Sequence, residues 1–214
     1  MNIIITKENI WIETFKGNTK VLNSPLADSL EDPRSWTPLH CLANLGKTSV
    51  LKHPSVDKVK THSGKTPLHY LAGVGRIEVL EHPSVSQIKD NTGATPLHDL
   101  ADAWKIEVLN HPDVAKVKTL KGLTPLHLLA NRYFLEVLKH PLVDKVKDLQ
   151  ENTPLHFLLS SYKYHGMILK NIKELKWWIK EKHPHIKIGK RKIDNTLIKE
   201  IFETSNAERF ILEI

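Results

Sequence analysis

The sequence contains a single cysteine, Cys41, so the chain cannot form an intrachain disulfide. A lone cysteine favours a reducing compartment, and we expect an intracellular, cytoplasmic protein. The N-terminal residues lack a basic leader followed by a long apolar core, which argues against a signal peptide. No apolar run approaches the roughly 20 residues that a membrane-spanning helix needs, so we predict no membrane association.

Motifs that carry chemistry are also missing. The chain has no glycine-rich phosphate-binding loop and no nucleophile elbow. Cys41 directly follows His40, but adjacent residues of a helix point in different directions and cannot act as a nucleophile and its base. We therefore predict that the protein is not an enzyme and has neither catalytic residues nor a cofactor.

Acidic residues are scarce in one segment, residues 163–192. Ten lysines and arginines lie there against only Glu174 and Glu181, which gives the segment a charge of +8. The whole chain has a formal charge of +7, so the rest of it is close to neutral. An electrostatic argument about partners therefore concerns this segment and not the whole chain.

A repeat of 29 residues dominates the sequence. The tetrapeptide Thr-Pro-Leu-His begins five times in phase, and a Leu-Ala pair, a Val-Leu pair and a His-Pro pair recur with it. A fixed period of this size is typical of proteins that are built from stacked repeats. The tetrapeptide starts at Thr37, Thr66, Thr95, Thr124 and Thr153.

The 37–65 repeat shows what each unit should form. Thr37 is a suitable helix N-cap, and Pro38 suits the first helical position because its missing N–H costs nothing there. Pro54 should end a second helix, since the residue before a proline disfavours helical geometry. Residues 56–60 alternate between apolar and polar, which predicts an extended segment. The unit should therefore be a helix, a turn, a short helix and an extended finger that closes in an Asp-to-Gly turn.

The in-phase Thr-Pro-Leu-His copies resemble the ankyrin repeat, in which a similar tetrapeptide opens the first helix. The resemblance implies an all-α-type solenoid of helix-turn-helix repeats with short extended finger loops. The ankyrin period is about 33 residues. Aligning the tetrapeptide and the closing glycine places the missing four residues in the second helix, so we expect that helix to be shorter by about one turn of about 3.6 residues.

We expect one continuous solenoid of about seven units. Residues 1–36 keep the phase of the repeat without its tetrapeptide and should form a degenerate N-terminal cap. Residues 37–152 form four full repeats, and residues 153–195 form a fifth, extended and basic repeat. Residues 196–214 should form the C-terminal cap.

Two sets of histidines recur with the period. Equivalent positions in adjacent repeats are roughly 8–10 Å apart, whereas two nitrogen ligands of one zinc ion lie within roughly 4 Å, so we predict no metal site. The resemblance implies that the tetrapeptide histidines are structural hydrogen-bonding residues. The second set follows the second helix, where a histidine cation is favourable against the helix C-terminus, with pH sensing as the alternative. This set is His53, His82, His111 and His140.

Exposed positions that vary while the framework repeats are candidates for partner binding. The recognition surface of ankyrin proteins consists of the finger tips and the outer side of the first helix, and the resemblance implies the same here. Drift at unconstrained positions is the alternative. The candidates at the tips are His62, Ser63, Asn91, Thr92, Leu120, Lys121, Leu149 and Gln150. The candidates on the first helices are Asn44, Leu45, Asp102, Asn131 and Arg132.

Large aromatic residues replace glycine in the turn between the two helices of the later repeats. Tryptophan and tyrosine are enriched among the residues that dominate interface energies, so we predict that these aromatics are binding anchors. Packing against the next repeat is the alternative. The aromatic candidates are Trp104, Tyr133, Phe134 and Tyr162.

Lysines recur at one position of every finger. With the basic segment they could face nucleic acid or an acidic partner, and such binding would weaken strongly with salt. Ordinary solvation of an exposed finger is the other interpretation. The basic patch is Lys60, Lys89, Lys118, Lys147, Lys176, Lys180, Lys190, Arg191 and Lys192.

Together these patterns predict a non-enzymatic protein–protein interaction module, an adaptor, inhibitor or effector that is monomeric alone. It would bind its partner through a preformed concave face and the finger tips, so that little entropy is lost on binding. The near-identical copies indicate recent duplication and suggest a viral or microbial factor that acts on a host protein in the host cytoplasm or nucleus. A nucleic-acid-associated protein is the rival hypothesis.

Overall fold

The computed structural model describes residues 4–132 and 134–158, together with the backbone of residues 187–188 and 191–192. The predicted roles of Tyr133, Tyr162, Lys176, Lys180 and Lys190 therefore lie outside the described residues, as do the side chains of Arg191 and Lys192. So do the predicted C-terminal cap and nearly all of the basic segment. The chain forms two compact units, Met1–Leu120 and Lys121–Ile214.

The first unit contains four α-helices that follow the repeat. They are α1 (Ile10–Phe15), α2 (Pro38–Asn44), α3 (Pro67–Gly73) and α4 (Pro96–Asp102). Helix α1 packs against α2, α2 against α3, and α3 against α4. Each neighbouring pair in sequence is thus a neighbouring pair in space, which is the arrangement that a helical repeat protein requires.

A row of leucines forms the core of this stack. Leu39, Leu42 and Ala43 lie on one face of α2 at helical spacing, and all three are completely buried. Leu68 and Leu71 repeat the pattern one unit later. Burying a leucine contributes roughly 2 kcal/mol relative to leaving it exposed, so this row is a main source of stability.

In each repeat whose second helix the structure describes, that helix is a 3₁₀ helix of five residues. In the first unit these helices are Thr19–Asn23, Thr48–Lys52, Ile77–Glu81 and Ile106–Asn110. The prediction that a His-Pro pair stops the helix is confirmed, because His53 follows the Thr48–Lys52 helix in an extended conformation before Pro54. The prediction of an α-helix shortened by one turn was wrong about the type of helix. A 3₁₀ helix rises about 2 Å per residue against 1.5 Å, so five residues reach further.

The finger begins later than the alternation in residues 56–60 predicted. The backbone forms consecutive turns over residues 54–58, with the Val56 N–H donating to the His53 carbonyl at 3.1 Å. Val56 is buried and Val59 half-buried. Their spacing of three suits a turn as well as a helix, so it places both on the inner side without an extended segment.

The finger tips close as predicted and hydrogen-bond to one another. The Gly93 N–H donates to the Asp90 carbonyl at 3.0 Å, which closes the expected turn. At each tip a backbone N–H donates to a carbonyl of the preceding tip. In the first unit these bonds join His62 to Arg34 (3.4 Å), Asn91 to Ser63 (3.0 Å) and Leu120 to Thr92 (2.8 Å).

The second unit continues the same pattern. It contains α5 (Pro125–Asn131), a 3₁₀ helix Leu135–Lys139 and helical residues 154–158. Two two-residue strands, β1 (Lys187–Ile188) and β2 (Arg191–Lys192), pair antiparallel with Ile188 opposite Arg191. These strands depart from a purely helical prediction, while the repeats in both units are helical. No helix in the described part of the chain is long and apolar enough to span a bilayer.

Candidate functional site

The tetrapeptide histidine closes the first turn of helices α2 to α5, and in the repeats of His40, His69 and His127 its Nε2 also contacts a carbonyl at the end of the same repeat. In α3 the His69 Nδ1 accepts the Thr66 backbone N–H at 3.2 Å and lies 2.9 Å from the Thr66 hydroxyl. The His69 Nε2 lies 3.1 Å from the Ala94 carbonyl oxygen. A carbonyl only accepts and a backbone N–H only donates, so the proton must be on Nε2 and the ring must be neutral.

Burial supports that neutral state. It lowers the pKa of His40, His69 and His156 to about 4. The His40 Nε2 contacts the Lys65 carbonyl at 3.2 Å, which repeats the same geometry one unit earlier. The structural hydrogen-bonding role expected for these histidines is confirmed. Among the described residues no group of His, Cys, Asp or Glu is arranged to hold a metal ion.

The second set of histidines also accepts hydrogen bonds. The His53 Nδ1 accepts the Ser55 backbone N–H at 3.2 Å, and the His82 Nδ1 accepts that of Ser84 at 3.2 Å. His111 and His140 make the equivalent bonds. An accepting Nδ1 carries no proton, so these contacts cap the turn after the 3₁₀ helix and do not need the cation that the sequence suggested.

The repeated finger lysines bind the neighbouring finger. The Lys60 Nζ donates to the Lys89 carbonyl at 3.2 Å, and the Lys89 Nζ donates to the Lys118 carbonyl at 3.4 Å. In the second unit Lys147 pairs with Glu151. The sequence identified this row as a basic patch, but the geometry gives Lys60 and Lys89 a contact between repeats and Lys147 a contact within its own repeat.

A second inter-repeat contact pairs a serine with an aspartate. Two successive interfaces place the aspartate in the earlier repeat, and the third exchanges the two residue types. The exchange keeps one hydroxyl donor and one carboxylate acceptor at each interface. The sequence analysis missed these pairs, although the 27-residue offset repeats with the period. The pairs are Asp28–Ser55, Asp57–Ser84 and Ser86–Asp113.

An ion pair that reaches across a whole repeat was also missed. The Lys65 Nζ lies 2.7 Å from the Asp99 Oδ1, while the Asp99 Oδ2 is buried without a hydrogen-bond partner. Burial raises the pKa of Asp99 to about 6 even though Lys65 lowers it. Trp36 and Tyr70 are also in contact, with ring centroids 4.5 Å apart and ring planes tilted by 52°.

The predicted tip residues are all exposed. Leu120 exposes 72% and Leu149 76% of the side chain. The Asn91 side chain donates from its Nδ2 to the His62 carbonyl at 2.9 Å, so it belongs partly to the framework. The exposed tip residues are His62, Ser63, Asn91, Thr92, Leu120, Lys121, Leu149 and Gln150.

The predicted helix residues are divided between the two units. Asn44, Leu45 and Asp102 are exposed in the first unit, and Asn131 is exposed in the second. The side chain of Arg132 is half-buried. Phe134, the nearby aromatic candidate, is half-buried as well. These positions therefore do not form one uniformly exposed surface.

The turn between the two helices has the same backbone conformation with very different side chains. Gly46 has a φ of 70° and Gly75 a φ of 76°, both left-handed, and Trp104 adopts 63°. The Gly75 N–H donates to the Ala72 carbonyl at 2.8 Å, and the Trp104 N–H donates to the Ala101 carbonyl at 3.2 Å. A bulky residue is a genuine outlier in this region. Trp104 is 50% exposed.

We call residues 45–47, 74–76 and 103–105 the turn edge. Leu45 and Val74 expose 46% and 44% of their side chains there. Each of the three segments ends in a basic residue, which is Lys47, Arg76 or Lys105. This basic side chain lies over the glycine of the preceding repeat, since a Cβ added to Gly46 would lie 2.7 Å from the Arg76 Nε.

Comparison with known proteins gives no match, either to a protein-family model or to a curated protein sequence. A functional proposal for this chain therefore depends on its own residues.

Proposed function

We propose that the chain is an ankyrin-type repeat protein whose function is to bind another protein, as an adaptor, inhibitor or effector, without catalysis. The observation that carries this proposal is Trp104, a half-exposed tryptophan in a left-handed turn. Glycine occupies the equivalent turn position at Gly17, Gly46 and Gly75 with the same sign of φ.

The conformation of Trp104 has an energetic cost. A left-handed conformation costs a residue with a side chain about 1–2 kcal/mol relative to its ordinary regions. Half of the indole also remains in water, so the fold gains only part of the hydrophobic stabilisation that tryptophan can supply. Glycine would avoid the strain. A tryptophan retained there is best explained by contact with a partner, because tryptophan is the residue most enriched among binding hot spots.

The rest of the repeat supports a rigid framework for such contacts. The same threonine–histidine closure recurs at Thr37, Thr66, Thr95 and Thr124. A framework held by repeated internal hydrogen bonds loses little conformational entropy when a partner binds. The positions that differ between repeats are then available for recognition.

The nucleic-acid alternative has less support in the described residues. Lys60 and Lys89 are exposed, but each donates from its Nζ to a backbone carbonyl of the neighbouring finger, which restrains the ammonium group that a phosphate would have to reach. Duplex DNA binding that is strong at 50 mM salt and falls by about tenfold or more at 200 mM would favour this alternative.

A capture experiment with matched variants tests the protein-binding proposal. The wild-type chain, Trp104→Gly and Ile4→Ala are immobilised, and proteins retained from the native cell are identified by mass spectrometry. Ile4 is a suitable control because it is 78% exposed and lies outside the candidate surface. We expect a protein that wild type and Ile4→Ala retain and that Trp104→Gly loses. Equal retention by all three chains would contradict a role for Trp104.

A further inference from the structure

The turn edge of the first unit combines apolar contact with uncompensated positive charge. Its segments read Leu-Gly-Lys, Val-Gly-Arg and Ala-Trp-Lys in successive repeats. Leu45, Val74 and Trp104 supply exposed apolar surface at this edge. One basic residue lies close to each of them in sequence, so each of the three repeats contributes one apolar and one basic side chain to the turn edge.

The basic groups of the turn edge have no acidic partner. Lys47, Arg76 and Lys105 form no ion pair among the residues that the structure describes. Elsewhere in the same unit Lys65 pairs with Asp99 at 2.7 Å and Lys116 pairs with Asp113 at 3.0 Å. The framework therefore neutralises Lys65 and Lys116, whereas the basic groups of the turn edge keep their positive charge.

The spacing of the edge suits an extended chain. Packed helices lie about 8–10 Å apart, so the basic groups of successive repeats should be separated by a similar distance. A polypeptide in the extended polyproline II conformation advances about 3.1 Å per residue with three residues per turn, so every third side chain recurs on the same face at about 9 Å. A segment with an acidic residue at every third position could place one carboxylate near each basic group.

We propose that the turn edge of residues 45–47, 74–76 and 103–105 binds an acidic, extended protein segment, with Trp104 as its apolar anchor. The acidic side chains contact the basic residues, and the apolar side chains between them pack on Leu45, Val74 and the indole. This inference names the partner class for the proposed binding function and depends on it.

A peptide series tests the spacing and the charge. The probe is a fluorescein-labelled 13-residue peptide with glutamate at every third position and leucine and serine between. A peptide of the same composition with its glutamates in one block is the matched control. In fluorescence anisotropy at 50 mM salt we expect at least tenfold weaker binding of the block peptide. Equal binding of the two peptides would overturn the proposal.

Charge variants locate the site. Arg76→Glu should weaken binding of the spaced peptide by about tenfold or more, because it replaces an attraction by a repulsion. Lys58→Glu makes the same change at an exposed position outside the turn edge and should alter the affinity less than twofold. Equal losses in the two variants would show unspecific attraction to a positive protein and would overturn the proposal.

Two further measurements distinguish the acidic segment from a membrane surface and from a protein partner of different chemistry. Vesicles of phosphatidylserine and phosphatidylcholine in a 3:7 ratio test a membrane, and stronger Arg76-dependent binding to them than to the spaced peptide would overturn the proposal. If Trp104→Gly abolishes capture of a cellular protein while the peptide does not bind, the protein-binding function stands and the acidic-segment inference is wrong. If Trp104→Gly changes neither measurement, both are wrong.

Discussion

The Thr-Pro-Leu-His turn at the start of each repeat's α-helix, which we call the corner, differs from the turn edge in which features recur from repeat to repeat. At the corner, both the backbone and the side chain recur, and His40 and His69 make the same bonds. At the turn edge the left-handed backbone recurs, but Gly75 is followed one repeat later by Trp104. The corner therefore repeats both its backbone conformation and its side-chain hydrogen bonds, whereas the turn edge repeats only its backbone conformation.

The difference separates stability from recognition. A buried histidine with three polar neighbours cannot be exchanged without leaving some of them unsatisfied. The turn requires only that a residue adopt a positive φ, and glycine does this at least cost. A side chain that adds strain there must bring a compensating contact, and because half of Trp104 is exposed to solvent the turn edge is the better candidate for function.

The largest effect should come from the corner. His69→Ala removes the acceptor of the Thr66 N–H and the donor to the Ala94 carbonyl, and it leaves a cavity, so we expect a loss of about 2–4 kcal/mol. Arg76→Ala at the turn edge is the matched control and should change stability by less than about 0.5 kcal/mol. Urea unfolding of both variants measures the contrast. Equal effects would show that the corner is not the source of stability.

The corner should also make stability depend on pH. Burial lowers the pKa of His40, His69 and His156 to about 4, while unfolded histidine titrates near about 6.5. The unfolded chain then binds more protons, so stability should rise as the pH rises between these values. Asp99, raised to about 6 by burial, opposes this between about pH 4 and 6.

The net slope near pH 5 should be positive, about 2–3 kcal/mol per pH unit, because three histidines act against one aspartate. Urea unfolding between pH 4.5 and 6 measures it. Asp99→Asn removes the opposing group and should steepen the profile by about 1 kcal/mol per pH unit. A flat wild-type profile would mean that the histidines titrate normally and are not held neutral by the fold.

Two neighbouring glycines, Gly73 and Gly75, test whether the turn requires a residue with a positive φ. Gly75 has a φ of 76°, so Gly75→Ala should lower stability by about 1 kcal/mol. Gly73 ends α3 with open space where a Cβ would lie, so Gly73→Ala should raise stability by about 0.5–1 kcal/mol. Thermal unfolding of the two variants should therefore show shifts of opposite sign. Shifts of the same sign would remove the conformational argument.

The smallest effect concerns the serine–aspartate pairs. Ser86→Ala should cost about 0.5–1 kcal/mol, since it removes the hydroxyl that bonds to Asp113. The double variant Ser86→Asp with Asp113→Ser restores the order of the Asp57–Ser84 pair. It should recover stability to within about 0.5 kcal/mol of wild type by urea unfolding. A double variant no better than the single one would show that the pair is not interchangeable.

The sequence predicted the period, the capping threonine and the proline stop because each is a local signal. It was wrong about the finger because Val56 and Val59 are three residues apart, a spacing that fits a turn or a helix and not the period of two of an extended segment. It was wrong about the second helix because a deletion of one turn does not reveal that the remaining residues form a 3₁₀ helix. That outcome depends on how far five residues must reach before the His-Pro pair.

The candidate site was predictable only in part. Trp104 aligns with glycines, and a turn glycine implies a positive φ, so its strain was accessible from the repeat alone. The Lys60 row was predicted to be a basic patch because its partners are backbone carbonyls, which a sequence does not mark. The pair of Lys65 and Asp99 spans 34 residues, which is not the repeat period, so no pattern indicated it.

One substitution tests the central claim that Trp104 is kept for binding. Trp104→Gly gives the third turn the glycine that the second turn has, and we expect its unfolding free energy to stay within about 1 kcal/mol of wild type, because relief of the strain offsets the loss of the buried half of the indole. The same variant should lose at least tenfold in affinity for the captured protein. A variant that is less stable than wild type by about 1 kcal/mol or more, and that still binds with wild-type affinity, would show that Trp104 is a packing residue and contradict the account.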